Sequence, residues 1–108
     1  MKLTKFPDVL KYVDVGGDFI CSENNLTSLV GAPTSVGGTF SCARNQLKSL
    51  EGAPISVGQD FRCERSQLTS LEGAPISVGR DFYCANNAVQ FTEKQVRSVC
   101  DVKGMIFV

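Results

Sequence analysis

The chain has no histidine and no tryptophan. Without histidine it lacks the commonest general base and the commonest neutral metal ligand. Neither sign of charge dominates: eleven Lys and Arg balance eleven Asp and Glu. No run of five or six like charges marks a nucleic-acid arm or a disordered tail. Long apolar stretches are missing too, and no window approaches the ~18 apolar residues that span a bilayer. Charged residues interrupt the opening MKLTKFPDVLKYVDV every few positions, so no signal peptide is expected. Five cysteines without a secretory signal suit a reducing compartment, and a bacterial cytoplasmic location is the expectation. The 108 residues are read as one domain.

What the chain does have is a repeat. Cut before each Val-Gly, it gives VGGDFICSENNLTSLVGAPTS (15–35), VGGTFSCARNQLKSLEGAPIS (36–56), VGQDFRCERSQLTSLEGAPIS (57–77) and VGRDFYCANNAVQFTEKQVRS (78–98). These four 21-residue segments align without gaps, and the last departs from the frame after Asn87. Phe and Cys at alternate positions (Phe19/Cys21, Phe40/Cys42, Phe61/Cys63, Phe82/Cys84) predict a short strand with one buried face. Equivalent strands then stack in parallel, with leucines such as Leu47 and Leu50 continuing the core. Asn24, Asn45 and Asn87 stand where the chain leaves the strand. There a side-chain amide can satisfy backbone groups of its own and the next coil. Ser66 interrupts that asparagine series and weakens it locally. Gly-Ala-Pro forms a return leg that proline keeps from becoming helical.

Phe40, Cys42, Asn45 and Leu47 fit the L-x-L-x-x-N-x-L part of the leucine-rich-repeat frame, and the repeats resemble the short bacterial type of that family. The phrase L-T-S-L-E-G-A-P followed by V-G-x-D-F-x-C is similar to small repeat proteins of bacteriophages and prophages. The resemblance covers residues 15–87 and implies an α/β leucine-rich-repeat solenoid of four repeats with stacked parallel strands and irregular return loops. Gly16, Gly37, Gly58 and Gly79 replace the frame's first leucine, so the preceding valine takes that core slot. A β-helix, with further strands in place of the loops, is the competing architecture; Gly-Ala-Pro argues against it.

Caps complete the solenoid. Residues 1–14 form the N-terminal cap, where Pro7–Val13 suits one or two helical turns with Leu10 and Val13 against the first repeat. Residues 88–108 form the other. Thr92-Glu93-Lys94-Gln95 is a capping-box pattern, Val96, Val99 and Cys100 recur at helical spacing, and Gly104 ends the helix. Met105-Ile106-Phe107-Val108 reads as a fifth strand. It has neither charge nor proline to discourage pairing, and half its apolar side chains must point outward, so self-association through these four residues as a two-fold dimer is expected. The opposing arrangement is a monomer whose helix or target covers the strand.

Catalytic and metal readings fare poorly. A linear column of cysteines does not converge as zinc requires, and core packing is the simpler role. The glycine turns lack the Gly-Lys-Ser/Thr of a phosphate-binding loop. Ser28, Ser49 and Ser70 have no histidine partner. Asp60 and Asp81 stack as a carboxylate pair, but a polar row at the strand start explains them more simply. No cofactor and no enzymatic activity are expected. The positions that vary between copies cluster on the outward strand face: Ile20, Ser41, Arg62 and Tyr83; then Ser22, Ala43, Glu64 and Ala85; then Glu23, Arg44, Arg65 and Asn86. In a leucine-rich solenoid this is the concave surface. Ile20, Glu23, Arg44, Arg62, Glu64, Arg65, Tyr83 and Asn86 are therefore the candidate partner-binding residues.

The function expected is non-catalytic protein binding. The phage resemblance implies a bacterial host or defence protein as partner, inhibited by occlusion, with an anti-CRISPR-like role included. Two alternatives stand beside it. One is nucleic-acid or anionic-ligand binding through Arg44, Arg62 and Arg65, disfavoured by zero net charge and few aromatics. The other is a homo-oligomeric structural module.

Overall fold

The computed structural model describes Phe6 and residues 13–108. Each coil carries two short strands. They are β1 (Asp14–Val15) and β2 (Phe19–Ile20), β3 (Ser35–Val36) and β4 (Phe40–Ser41), β5 (Ser56–Val57) and β6 (Phe61–Arg62), and β7 (Ser77–Val78) and β8 (Phe82–Tyr83). Helix α1 (Glu93–Val99) follows, then β9 (Asp101–Val102) and β10 (Ile106–Phe107). The odd strands stack as one parallel sheet, β1-β3-β5-β7-β9, and the even strands as another, β10-β8-β6-β4-β2. Register advances by one repeat at each step, with Phe19 beside Phe40, Phe40 beside Phe61 and Phe61 beside Phe82.

The expected Phe-x-Cys ladder is the second sheet. The first sheet, on the Ser-Val step before the Val-Gly turn, is an addition that two-residue strands hide from a periodicity reading. Gly-Ala-Pro stays outside both sheets, and Pro33, Pro54 and Pro75 are buried. Val36, Val57 and Val78 fill the core slot beside the glycines. Those glycines serve contact between coils: a Cβ on Gly58 would lie 2.1 Å from the Gly37 carbonyl oxygen.

Inside, the phenylalanines form one column, with successive centroids 5.6 Å apart from Phe19 to Phe40 to Phe61 and 5.1 Å from Phe61 to Phe82. Phe6 meets Phe19 edge-on and closes the column's first end. The expected helix at residues 7–12, and Leu10 with it, lies outside the described residues. Val13 is exposed and does not cover the first repeat; Phe6 does.

Polar side chains tie coil to coil. Asn45 accepts from Leu26 N–H at 3.0 Å and donates to the Cys21 and Cys42 carbonyls, each at 3.0 Å, and to Ala43 O at 3.2 Å. Asn87 repeats the pattern against Leu68, Ser66, Cys63 and Cys84. The amide bridges to the preceding coil, opposite to the direction expected.

The C-terminal helix has its capping box, with Thr92 as N-cap and Gln95 at the third position. Val96 and Cys100 pack into the core, whereas Val99 points out. Gly104 does not end the helix. The helix stops at Val99 with Cys100 as C-cap. The chain then rejoins the solenoid at a 24-residue offset in place of 21, Val102 beside Val78 and Ile106 beside Phe82. Gly104 is the turn between β9 and β10, where a Cβ would fall 2.5 Å from Arg80 O. Arg97 stitches the helix to this last coil by donating to Val102 O at 2.8 Å and Gly104 O at 3.2 Å.

Candidate functional site

With Phe and Cys turned inward, the residue between them faces out, and the parallel register lines these up as Ile20, Ser41, Arg62, Tyr83 and Phe107. Arg62 lies over the Tyr83 ring at 4.6 Å from the centroid. Tyr83 stacks on Phe107 at 4.7 Å, with the rings 12° from parallel. A guanidinium and two rings therefore form one continuous stack across three strands, geometry in which each contact is favourable.

Glu64 holds the arginine end. Its Oε2 accepts from Arg62 Nε at 3.0 Å and from Nη2, which raises the guanidinium pKa further. The other oxygen, Oε1, is shut off from solvent without a hydrogen-bond partner. Such an orphan acceptor costs free energy, so the carboxylate is held where it orients Arg62 at the expense of its own solvation.

On the far side of Arg62 the row drops away. Ser41 is 7 % exposed and Ala43 is 6 % exposed. These small residues floor a notch of about 300 Å³ rimmed by Glu23, Arg44 and Arg62. Ile20 stands beyond Ser41 at 61 % exposure. Ser41 and Ala43 are variable residues that a hot-spot reading passes over, yet their size creates the notch.

Glu23, Arg44, Arg65 and Asn86 occupy one position in successive coils, and all are in the left-handed region, with φ of 58°, 57°, 55° and 59°. The coil-to-coil backbone bonds continue through this position, as from Arg44 N–H to Glu64 O and from Arg65 N–H to Ala85 O. All four are candidate partner-binding residues from the sequence, and the structure adds a backbone role. The position is the bend after the strand, and Asn86, a residue type tolerant of that conformation, is its one sequence signal. Among the described residues neither the Arg44 nor the Arg65 side chain has a hydrogen-bond or ion-pair partner.

The residues assigned to self-association divide. Ile106 packs against the core, Met105 and Val108 are exposed, and Phe107 joins Tyr83 on the face assigned to a partner. The two candidate sites are thus continuous.

Asp18 and Asp81 accept from backbone N–H groups of the next coil, Thr39 and Met105, both at 2.8 Å, and Asp60 from Asp81 N–H at 3.1 Å. They are backbone caps in a polar row. The cysteines stack in a buried column in which Cys21 and Cys63 donate weakly to Ser41 O and Tyr83 O. Burial pushes the Cys21 thiol up to about 12 and the Cys84 and Cys100 thiols up to about 11. Among the described residues no three Cys, Asp or Glu side chains converge to hold a metal ion. A second concavity, about 580 Å³, runs along the first sheet over a floor of Ser35, Ser56 and Ser77 and the neighbouring glycines. Its sequence signal is Ser-Val-Gly, which recurs at 35–37, 56–58 and 77–79.

No family model, curated protein or solved structure matches this chain. Among the described residues no helix is long and apolar enough to cross a membrane.

Proposed function

We propose that this solenoid is a non-catalytic protein-binding module of the leucine-rich-repeat kind, whose partner seats on the outward face of the second sheet. One observation carries the reading. Positions that build the coil are nearly invariant between copies, while the outward row differs in every coil and ends in a pre-organised Arg62–Tyr83–Phe107 stack. A plain solvated face needs no such stack, and Arg and Tyr are the residues that anchor protein interfaces. The sequence resemblance to phage repeat proteins supports a bacterial host or defence protein as partner, inhibited by occlusion in the cytoplasm. It supports an anti-CRISPR-like role on the same footing. Exposed Met105 and Val108 beside Phe107 support a homodimer of the free protein that exchanges for the partner complex.

The test is capture from a bacterial lysate with wild type, Arg62→Ala, Tyr83→Ala and Lys48→Ala as baits. The proposal expects one protein to be retained by wild type and Lys48→Ala, and to fall ~10-fold or more with the other two, as loss of an interface anchor does. Equal retention by all four assigns the face wrongly.

A further inference from the structure

Arg44 and Arg65 carry costs that the fold does not require. Both sit in left-handed backbone, at φ of 57° and 55°, where the fourth coil uses Asn86 at 59°. Asparagine and glycine adopt this conformation at least cost, and a long side chain gains nothing from it. The two arginines also hold the same position in adjacent coils, about 4.8 Å apart along the stack, so like charges are neighbours there, with Glu23 one coil before Arg44. Each is exposed, and neither is paired within the described residues. Arg62 is different: Glu64 already occupies it. Two unpaired arginines at equivalent positions of adjacent coils, one strand spacing apart along the stack, can reach two oxygens of one carboxylate, or two neighbouring carboxylates.

We infer that Arg44 and Arg65 form a carboxylate-binding fork, and that the partner presents to it an acidic protein segment carrying an apolar side chain for the neighbouring Tyr83–Phe107 surface. This rests on the protein-binding reading above and names the chemistry of the partner. A nucleic acid fits less well. Glu23 and Glu64 flank the fork, and Asp18, Asp60 and Asp81 line the strand start, so a continuous run of phosphates would pass carboxylates on both sides. Single carboxylates on a peptide need not. The exposed Phe107 and Ile20 also offer cover to apolar side chains and none to phosphates.

The structure makes an unusual demand of the test variant. Arg44→Asn with Arg65→Asn removes the fork while easing the backbone, so binding should fall as stability rises. The probes are acetyl-Gly-Glu-Glu-Phe-Gly-amide, its counterpart with lysine for glutamate, and a short thymidine oligonucleotide, each titrated into labelled protein and followed by amide chemical shifts. The acidic peptide is expected to move the Arg44, Arg65 and Tyr83 amides, and the lysine peptide to leave Arg44 and Arg65 unmoved. The double asparagine variant should bind the acidic peptide ~10-fold more weakly or worse, as loss of charge-assisted contacts does, and should melt at a higher temperature. No response to the acidic peptide, tighter binding of the oligonucleotide at the same amides, or unchanged affinity in the variant would each overturn the fork. A lower melting temperature would remove the strain argument beneath it. Lysate capture separates the two proposals. A partner retained by the double asparagine variant but lost with Arg62→Ala overturns the fork and leaves the binding face standing; a partner indifferent to every variant overturns both.

Discussion

Replacing Ser66 by asparagine should stabilise the protein, and the gain can be worked from its neighbours. Asn45 makes four hydrogen bonds between 3.0 and 3.2 Å, and Asn87 makes four between 2.9 and 3.2 Å. Ser66 stands at the same place in the third coil and makes two long ones, accepting from Asn45 N–H at 3.4 Å and donating to Cys42 O at 3.5 Å. Its hydroxyl is too short to serve the Leu47 N–H, the counterpart of Leu26 and Leu68, which both donate to an asparagine. An amide here would accept from Leu47 N–H and donate to the Cys42 and Cys63 carbonyls. Three sound bonds would replace two marginal ones. At about 1 kcal/mol net per bond, less roughly 0.5–1 kcal/mol for fixing the longer side chain, Ser66→Asn should add ~1–2 kcal/mol. That is roughly 4–8 °C in melting temperature for a domain of this size. Urea denaturation followed by circular dichroism reads it as a higher midpoint at unchanged slope. Asn45→Ser should lose ~2–3 kcal/mol, because buried carbonyl and N–H groups are then left unpaired. A neutral or destabilising Ser66→Asn, in a protein that still folds, would refute the ladder as the source of coil-to-coil stability.

Three further outcomes follow from the same geometry. The buried thiols keep their protons in the folded state, with values raised to about 11 or 12, whereas in the unfolded chain they ionise near 9.0. Unfolding above that pH therefore releases protons. Stability should be insensitive to these groups below pH 9 and fall by about 1.4 kcal/mol per pH unit per thiol above it; a Cys21→Ala, Cys84→Ala variant should show a shallower alkaline decline in urea midpoint. Arg97→Ala should cost ~1–2 kcal/mol through its two lost carbonyl contacts, its exposed ion pair with Glu93 counting for nothing, and should speed amide exchange in β9 and β10. Phe107→Lys should abolish self-association measured by light scattering at tens of micromolar, and a wild type already monomeric there removes the dimer.

Much of this architecture was legible because a solenoid writes the same physical demand into the chain once per coil. Phe40, Phe61 and Phe82 recur because a column of rings must continue through every layer, and the buried Val-Gly step recurs for the same reason. The second ladder of Ser-Val strands was not legible, since two residues carry no periodicity. Gly104 misled because a glycine twelve residues after the capping Thr92 resembles a stop signal. Only the 24-residue register shows that it lets the turn between β9 and β10 pass close to Arg80. Of the candidate site, the outward alternation of Ile20, Arg62 and Tyr83 followed from the strand period. Phe107's place beside Tyr83 did not, because the helical insertion breaks the 21-residue count between them. The left-handed bend was concealed by Glu23, Arg44 and Arg65, residue types that ordinarily signal nothing about backbone conformation.

Two departures from the polar ladders fall together. Thr39 replaces the aspartate that elsewhere accepts from the next coil, and Ser66 replaces the asparagine that elsewhere reaches back. Thr39 belongs to the second coil and faces the third; Ser66 belongs to the third and faces the second. Both defects, together with the like charges of Arg44 and Arg65, therefore fall on one interface. There side-chain cohesion rests mainly on the Phe40–Phe61 stack and buried leucines, beside the backbone ladder. In a quasi-one-dimensional array the weakest interface is where subglobal opening begins. The amides of Phe40, Cys42 and Arg44, which donate to Asp60, Arg62 and Glu64, should then exchange faster than those of Phe61, Cys63 and Arg65, which donate to Asp81, Tyr83 and Ala85. Thr39→Asp should supply the missing acceptor to Asp60 N–H, but beside the Asp18 and Asp60 carboxylates. The net gain is about 1 kcal/mol and should grow with salt as the repulsion is screened. Residues 39 and 66 lie at different corners of the coil and share no partner, so Thr39→Asp and Ser66→Asn should add to within about 0.5 kcal/mol. Their combination should bring exchange at Cys42 level with that at Cys63. Equal protection of the two sets in the wild-type protein would show that this interface is no weaker than its neighbour.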